Sequence, residues 1–204
     1  MISKLRDGVG RLFTPLARWL LRHGVSPDAV TIVGTLGVVV AALWLFPLGY
    51  LFAGTMVCWF FAMSDAIDGL MARLSGRVGP WGAFLDSTLD RIADGAIFTG
   101  LVLYLAGRGE DPLGAGLGLA CLVLGSIVPY ARARAEGLGM TANVGIAERG
   151  DRLTAALTAA GLVGVGLPPV VLTIVLGLLA VASAVTVVQR MVVVRRQAVR
   201  AAES

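Results

Sequence analysis

An all-α membrane protein is the fold class this sequence predicts: six transmembrane helices preceded by an N-terminal interfacial amphipathic helix, in a single domain over 1–204. Three observations carry that expectation. Hydrophobic residues are 57% of the 204 and charged residues 15%, with a mean hydropathy of +0.84, too apolar for a water-soluble globule. Apolar runs near the roughly 20 residues that one bilayer crossing needs recur along the chain. Basic residues collect at alternate ends of those runs, as retention on the cytoplasmic side requires.

The first segment, 1–24, sets Ile2, Leu5, Val9, Leu12, Phe13, Leu16, Trp19 and Leu20 at helical spacing, with Lys4, Arg11, Arg18 and Arg22 between them. That is the pattern of an interfacial helix. The arginines break any continuous apolar stretch and no small-residue cleavage site follows, so it is not a signal peptide. Continuous apolar runs then cover 29–46, 50–71, 83–106 and 113–131, followed by a short Gly-rich run over 153–167 and a β-branched run over 170–194. Pro168-Pro169 marks the last turn. The bundle is therefore expected over 29–194. Six spans place every basic cluster on one side, from Lys4–Arg22 through Arg73, Arg77, Arg132, Arg134, Arg149 and Arg152 to Arg190, Arg195, Arg196 and Arg200, with only Arg108 opposite. Both termini and the functional site are then expected to be cytoplasmic, at the cell membrane. The net charge of +4 belongs to contact with the lipid bilayer, and no nucleic-acid partner is implied.

Cys58 and Cys121 each sit inside an apolar run, which leaves no disulfide framework and no thiolate zinc site. The lone histidine, His23, reads as an interfacial surface residue, so chemistry has to come from carboxylates. Asp65 and Asp68 stand near the cytoplasmic end of the second run, and Asp86 and Asp90 near the start of the third. Spacings of i,i+3 and i,i+4 put each pair on one helix face, and the 74–81 connection brings the faces together. One ionised Asp at a helix centre costs about 2.5–3.5 kcal/mol on the insertion scale, so four together call for cations. Oxygen-only donors favour Mg²⁺, with Mn²⁺ or Ca²⁺ as alternatives, and suit a phosphate-bearing ligand. The structural alternative is that these acids cap helices or pair with Arg73, Arg77 and Arg91. Gly69 and Gly82 either open the helices to a diphosphate or serve helix packing. Asp94, one turn deeper than Asp90, is expected to pair with an arginine or a hydroxyl.

Asp65-x-x-Asp68-Gly69-x-x-Ala72-Arg73, continued by Gly82-x-x-x-Asp86-x-x-x-Asp90, resembles the signature of the CDP-alcohol phosphotransferases at every fixed position. The resemblance implies a six-helix membrane enzyme that moves a phosphatidyl-type group from a CDP-linked donor to an alcohol and releases CMP. It implies two Mg²⁺ ions, with Mn²⁺ as a substitute, on Asp65, Asp68 and Asp86, and Asp90 as a metal-proximal residue and general base. Gly69, Ala72, Arg73 and Gly82 would line the nucleotide side. Asp28 and Thr31 would contact the CDP part, although both equally suit a helix start after Pro27.

The stretches 26–31, 90–95, 130–136, 148–153 and 188–190 extend the likeness over most of the chain, to actinobacterial family members that make phosphatidylinositol phosphate. That implies CDP-diacylglycerol and inositol 1-phosphate as substrates and a homodimer, for which Gly114-x-Gly116-x-Gly118 offers close helix contact. Pro129 and Gly150-Asp151 depart from the family pattern, which expects a small polar residue and Pro-Glu there. A phosphorylated acceptor needs its own cations, and Arg132, Arg134, Arg152 and Arg190 are expected to meet in one pocket beside the aspartates. Positive-inside topology accounts for the same arginines without a ligand. Glycerol 3-phosphate is the rival acceptor. A cation or proton transporter is the rival class, disfavoured because the acids lie close to Arg73 and Gly82 rather than at a bilayer midplane.

Overall fold

The computed structural model describes residues 13–76 and 79–202, and these contain helices and no strand. Helix α1 is described over 13–22; the expectation of an interfacial helix over 1–12 lies outside the described residues. His23 is exposed, stacks on Trp19 at 4.3 Å between ring centroids, and ends α1. Helix α2 (Pro27–Leu45) starts where Ser26 Oγ accepts the Ala29 N–H at 3.1 Å and Pro27 takes the first helical position.

Helices α3 (Leu51–Ala62) and α4 (Ser64–Ser75) meet at Met63, which keeps helical dihedrals of −67° and −16°. The two form one apolar rod with a seam, and the seam puts Asp65 in the first turn of α4, where the helix dipole favours a carboxylate. Gly76 ends α4 with φ +68°, a left-handed cap that a side chain would strain. Helix α5 (Pro80–Ala106) again opens on proline. So does α6 (Pro112–Glu136), capped by Asp111, whose carboxylate accepts the Gly114 N–H at 2.8 Å and the Thr173 hydroxyl. Those two donors hold the Asp111 carboxyl below its ordinary range. Helices α7 (Arg149–Gly164) and α8 (Val170–Ala202) follow, separated by the Pro168-Pro169 turn.

Four helical stretches are long and apolar enough to cross a membrane: Pro27–Leu45, Leu51–Ser75, Pro112–Glu136 and Val170–Ala201. Helix α5 has the length but carries Asp86, Asp90, Arg91 and Asp94, and α7 is only 16 residues long. The helices pack as a closed ring in the order α2, α5, α6, α8, α7, α3 and back to α2, with α4 against α2. Small residues such as Ala42, Ala96, Ala156 and Ala160 fill the interior, whereas Val40, Trp44, Phe60, Leu119, Leu178 and Val181 face out. Large apolar side chains outside and small ones at the contacts is the arrangement lipid surroundings favour. Glycine sets two of the closest approaches. A Cβ at Gly100 would lie 2.2 Å from Ala42 O, and one at Gly164 would lie 2.3 Å from Phe52 N. Of the Gly114-x-Gly116-x-Gly118 run, Gly114 and Gly118 pack inside the chain, against Asp111 and Thr173 and against Val102, while Gly116 is exposed with nothing near it.

The connection from α6 to α7 runs back along α8 as a strap. Gln197 Nε2 donates to Thr141 O at 2.6 Å and its Oε1 accepts the Thr141 N–H at 3.0 Å. Arg190 Nε donates to Val144 O at 3.0 Å, and the Ile146 and Ala147 N–H groups donate to Thr186 Oγ1 at 3.1 Å each. Three points of attachment fix the approach to α7, which starts two residues after Ala147.

Candidate active site

One cavity of about 400 Å³ opens between the starts of α2 and α5 and the whole of α4. Asp28, Thr31, Asp65, Asp68, Gly69, Ala72, Arg73, Gly82 and Asp86 all line it, so every signature residue but Asp90 shares the cavity with the two from α2. Thr31 is buried and donates to Asp68 Oδ2 at 2.6 Å, which fixes the rotamer of a buried carboxylate. Asp28 is tied to α5 by the Trp81 indole N–H at 3.0 Å. Both α2 residues thus line the cavity, while Ser26 provides the helix cap.

A methyl group added at Gly82 would meet nothing within 4 Å, and one at Gly69 would meet only Arg73 Nη1, at 3.7 Å. Neither glycine serves helix packing. Both keep the cavity open, and the exposed Arg73 guanidinium folds back over Gly69 with no ion pair among the described residues.

Asp90 lies one turn beyond Asp86, half-buried and off the cavity wall. Arg149, the first residue of α7, reaches it: Nη1 stands 3.0 Å from Asp90 Oδ1 and 3.8 Å from Asp65 Oδ2, while Nε donates to Asp94 Oδ1 at 2.9 Å. Arg91 approaches Asp90 and Asp94 at 3.8 and 3.7 Å. Asp94 is accordingly buried and paired with arginines, as its depth implies. Asp86 is within electrostatic reach of Asp65, Asp68 and Asp90.

Among the described residues, no three acid, histidine or cysteine groups form a ready-made metal cage. The donor chemistry still fits a hard divalent cation. Asp65 and Asp68 of α4 and Asp86 of α5 line one cavity of about 400 Å³ whose wall, among the described residues, holds no histidine or cysteine, and Asp90 follows one turn along α5.

Arg132, Arg134, Arg152 and Arg190, expected to meet in one pocket beside the aspartates, do not line that cavity. Arg132 pairs with Glu136 at 2.9 Å on the surface of α6, and Arg134 is exposed in the last turn of the same helix. Arg152 and Arg190 point inward, 2% and 7% exposed. Arg152 Nη1 donates to Ala147 O at 2.9 Å and Nη2 to Gly125 O at 3.4 Å, leaving Nε without a partner. Arg190 donates to Val144 O and Val128 O. Pro129 explains part of this: having no N–H, it frees the carbonyl of Gly125 four residues back, which Arg152 then takes up.

Two site residues were not singled out from the sequence. Trp81 carries no signal there beyond its place before Gly82. Arg149 sits in the 148–153 run, one turn before Arg152, and only the tertiary path of the strap aims it at the acids.

The CDP-alcohol phosphatidyltransferase family profile matches residues 24–145. A phosphatidylinositol phosphate synthase of Cutibacterium acnes is 49% identical over 203 residues, 96% of this chain and 98% of that protein. One from Streptomyces avermitilis is 48% identical over 197 residues, 94% of this chain and 81% of that protein. The crystal structure of Mycobacterium tuberculosis phosphatidylinositol phosphate synthase with CDP-DAG bound matches with a TM-score of 0.87 at 46% identity, over 90% of this chain and 94% of that one. The same enzyme in complex with manganese and citrate matches with a TM-score of 0.84 at 47% identity, over 89% and 88% of the two chains.

Proposed function

The chain belongs to the CDP-alcohol phosphatidyltransferase family, and on that premise we propose that it transfers the phosphatidyl group of CDP-diacylglycerol to inositol 1-phosphate, yielding phosphatidylinositol phosphate and CMP. The observation that carries this reading is the single cavity in which Asp65, Asp68 and Asp86 share a wall with Asp28, Thr31, Gly69, Ala72, Arg73 and Gly82. Acids and an open glycine-lined wall side by side suit a nucleoside diphosphate held by its phosphates at one end and its base at the other.

Asp65, Asp68, Asp86 and Asp90 would hold two divalent cations, Mg²⁺ or Mn²⁺, which when bound supply positive charge to the diphosphate. Thr31 keeps the Asp68 carboxylate aimed into the cavity. Arg73 stands at the same wall to balance charge on the departing CMP. Asp90 accepts the proton of the acceptor hydroxyl, and its half-buried place one turn below the cavity wall suits it to that role rather than to contact with the nucleotide. For the acceptor phosphate, Arg134 offers an exposed guanidinium with no ion pair among the described residues, and Arg132, Arg152 and Arg190 would join it on leaving Glu136 and the backbone carbonyls that hold them. Six spans, with α5 and α7 crossing as members of the ring, leave both termini and this site cytoplasmic. The enzyme works as a homodimer.

Release of CMP from CDP-diacylglycerol, offered with inositol 1-phosphate, inositol or glycerol 3-phosphate in turn, tests the reading. Turnover with inositol 1-phosphate and little with the other two is expected. Preference for glycerol 3-phosphate would overturn the acceptor, and no CMP release with any alcohol would overturn the transferase. Gly82→Leu, whose Cβ would meet nothing within 4 Å and whose side chain would enter the open cavity, is expected to leave the thermal midpoint unchanged and to raise the KM for CDP-diacylglycerol about tenfold. An unaltered donor KM would place the nucleotide elsewhere.

A further inference from the structure

We propose that Arg149 sets the affinity of the carboxylate cluster for divalent cations, because its guanidinium competes for the same oxygens. The proposal rests on Asp65, Asp68, Asp86 and Asp90 being the metal ligands. The competition follows from how the arginine is held. Ala147, two residues earlier, is bonded through its N–H to Thr186, so the backbone at the start of α7 is pinned to α8. The side chain is pinned as well: Nε donates to Asp94 Oδ1 at 2.9 Å, and Asp94 is buried and approached from the other side by Arg91.

A guanidinium is planar, so fixing Nε leaves its outer nitrogens a narrow range of directions. Nη1 falls between α4 and α5, 3.0 Å from Asp90 Oδ1 and 3.8 Å from Asp65 Oδ2. One arginine therefore bridges the two helices that carry the acids, and it occupies one acid on each. The remaining two are left differently: Asp68 accepts from neutral Thr31, and Asp86 has no ion pair among the described residues. A divalent cation taking Asp65 and Asp90 must displace Nη1 or bind beside a fixed positive charge. Either way Arg149 weakens binding. The same charge offsets repulsion among the carboxylates, so it also supports the protein when no cation is supplied.

Two effects of opposite sign follow, and packing alone would not produce that pair. Mn²⁺ is titrated into the purified full-length protein in detergent, with free Mn²⁺ read by electron paramagnetic resonance and thermal midpoints taken in chelator. Arg149→Gln is expected to bind Mn²⁺ about tenfold more tightly and to unfold at a lower temperature in chelator. Arg149→Lys keeps the charge and is expected within about threefold of native affinity. Unchanged or weaker binding by Arg149→Gln would overturn the proposal, as would equal tightening by Arg149→Lys. Arg149→Met replaces the glutamine variant if that does not purify, and failure of both to fold while Arg149→Lys folds would assign the residue to stability alone. Native protein that binds no Mn²⁺ would instead refute the metal-ligand reading itself.

Discussion

Asp90→Asn is expected to lower the rate of CMP release at saturating substrates by about a thousandfold, within the range a positioned general base contributes. The amide keeps the shape of the carboxylate but cannot take the acceptor's proton. Folding should survive, because a neutral amide is cheaper to bury than an acid, and because Arg149 keeps its anchor on Asp94 when Asp90 is neutralised. The control is donor binding. Asp90 does not line the cavity proposed for the nucleotide, so with Asp65, Asp68 and Asp86 left to hold the cations there the KM for CDP-diacylglycerol should change by less than about threefold. A folded Asp90→Asn enzyme within tenfold of native turnover would remove Asp90 from proton transfer.

Arg134→Gln is expected to raise the KM for inositol 1-phosphate by about 10- to 100-fold while leaving that for CDP-diacylglycerol unchanged, the loss of one charged hydrogen bond to phosphate. Arg134 is the informative choice because it is exposed and holds up nothing else. Removing Arg152 or Arg190 would leave the carbonyls of Ala147 and Gly125, or of Val144 and Val128, unpaired in the interior, so an acceptor effect could not be told from a folding defect. Equal acceptor kinetics for native and Arg134→Gln enzymes, measured by CMP release over a range of inositol 1-phosphate, would take this arginine out of the acceptor site.

Helix limits were legible wherever a residue acts locally. Pro27 opens α2 and Pro168-Pro169 separates the last two helices as the sequence implies, and the structure adds prolines at 80 and 112 that open helices and Gly76 that closes α4. The seam at Met63 was not legible, since neither proline nor glycine marks it and the dihedrals stay helical. Spacing alone put Asp65 with Asp68 and Asp86 with Asp90, because a helix face is a local property. Their meeting with Asp28 and Thr31 came from the resemblance, and the cavity agrees with it. Charge at a helix end, by contrast, says nothing about which way a side chain turns. Arg152 and Arg190 turn inward to backbone carbonyls, and Arg149 turns to the acids, for reasons that lie 20 or more residues away, at Gly125, Val128 and Asp94.

The strap along α8 makes the helix and the start of α7 one mechanical piece. Thr141 is clipped to Gln197, Val144 to Arg190, and Ala147 to Thr186, like rungs between two rails. A shift of α8 along its axis would be handed on, rung by rung, to the residue that ends the rail, and that residue is Arg149. The far end of the longest helix is thereby geared to the carboxylates of α4 and α5, although α8 itself contributes no residue to their cavity.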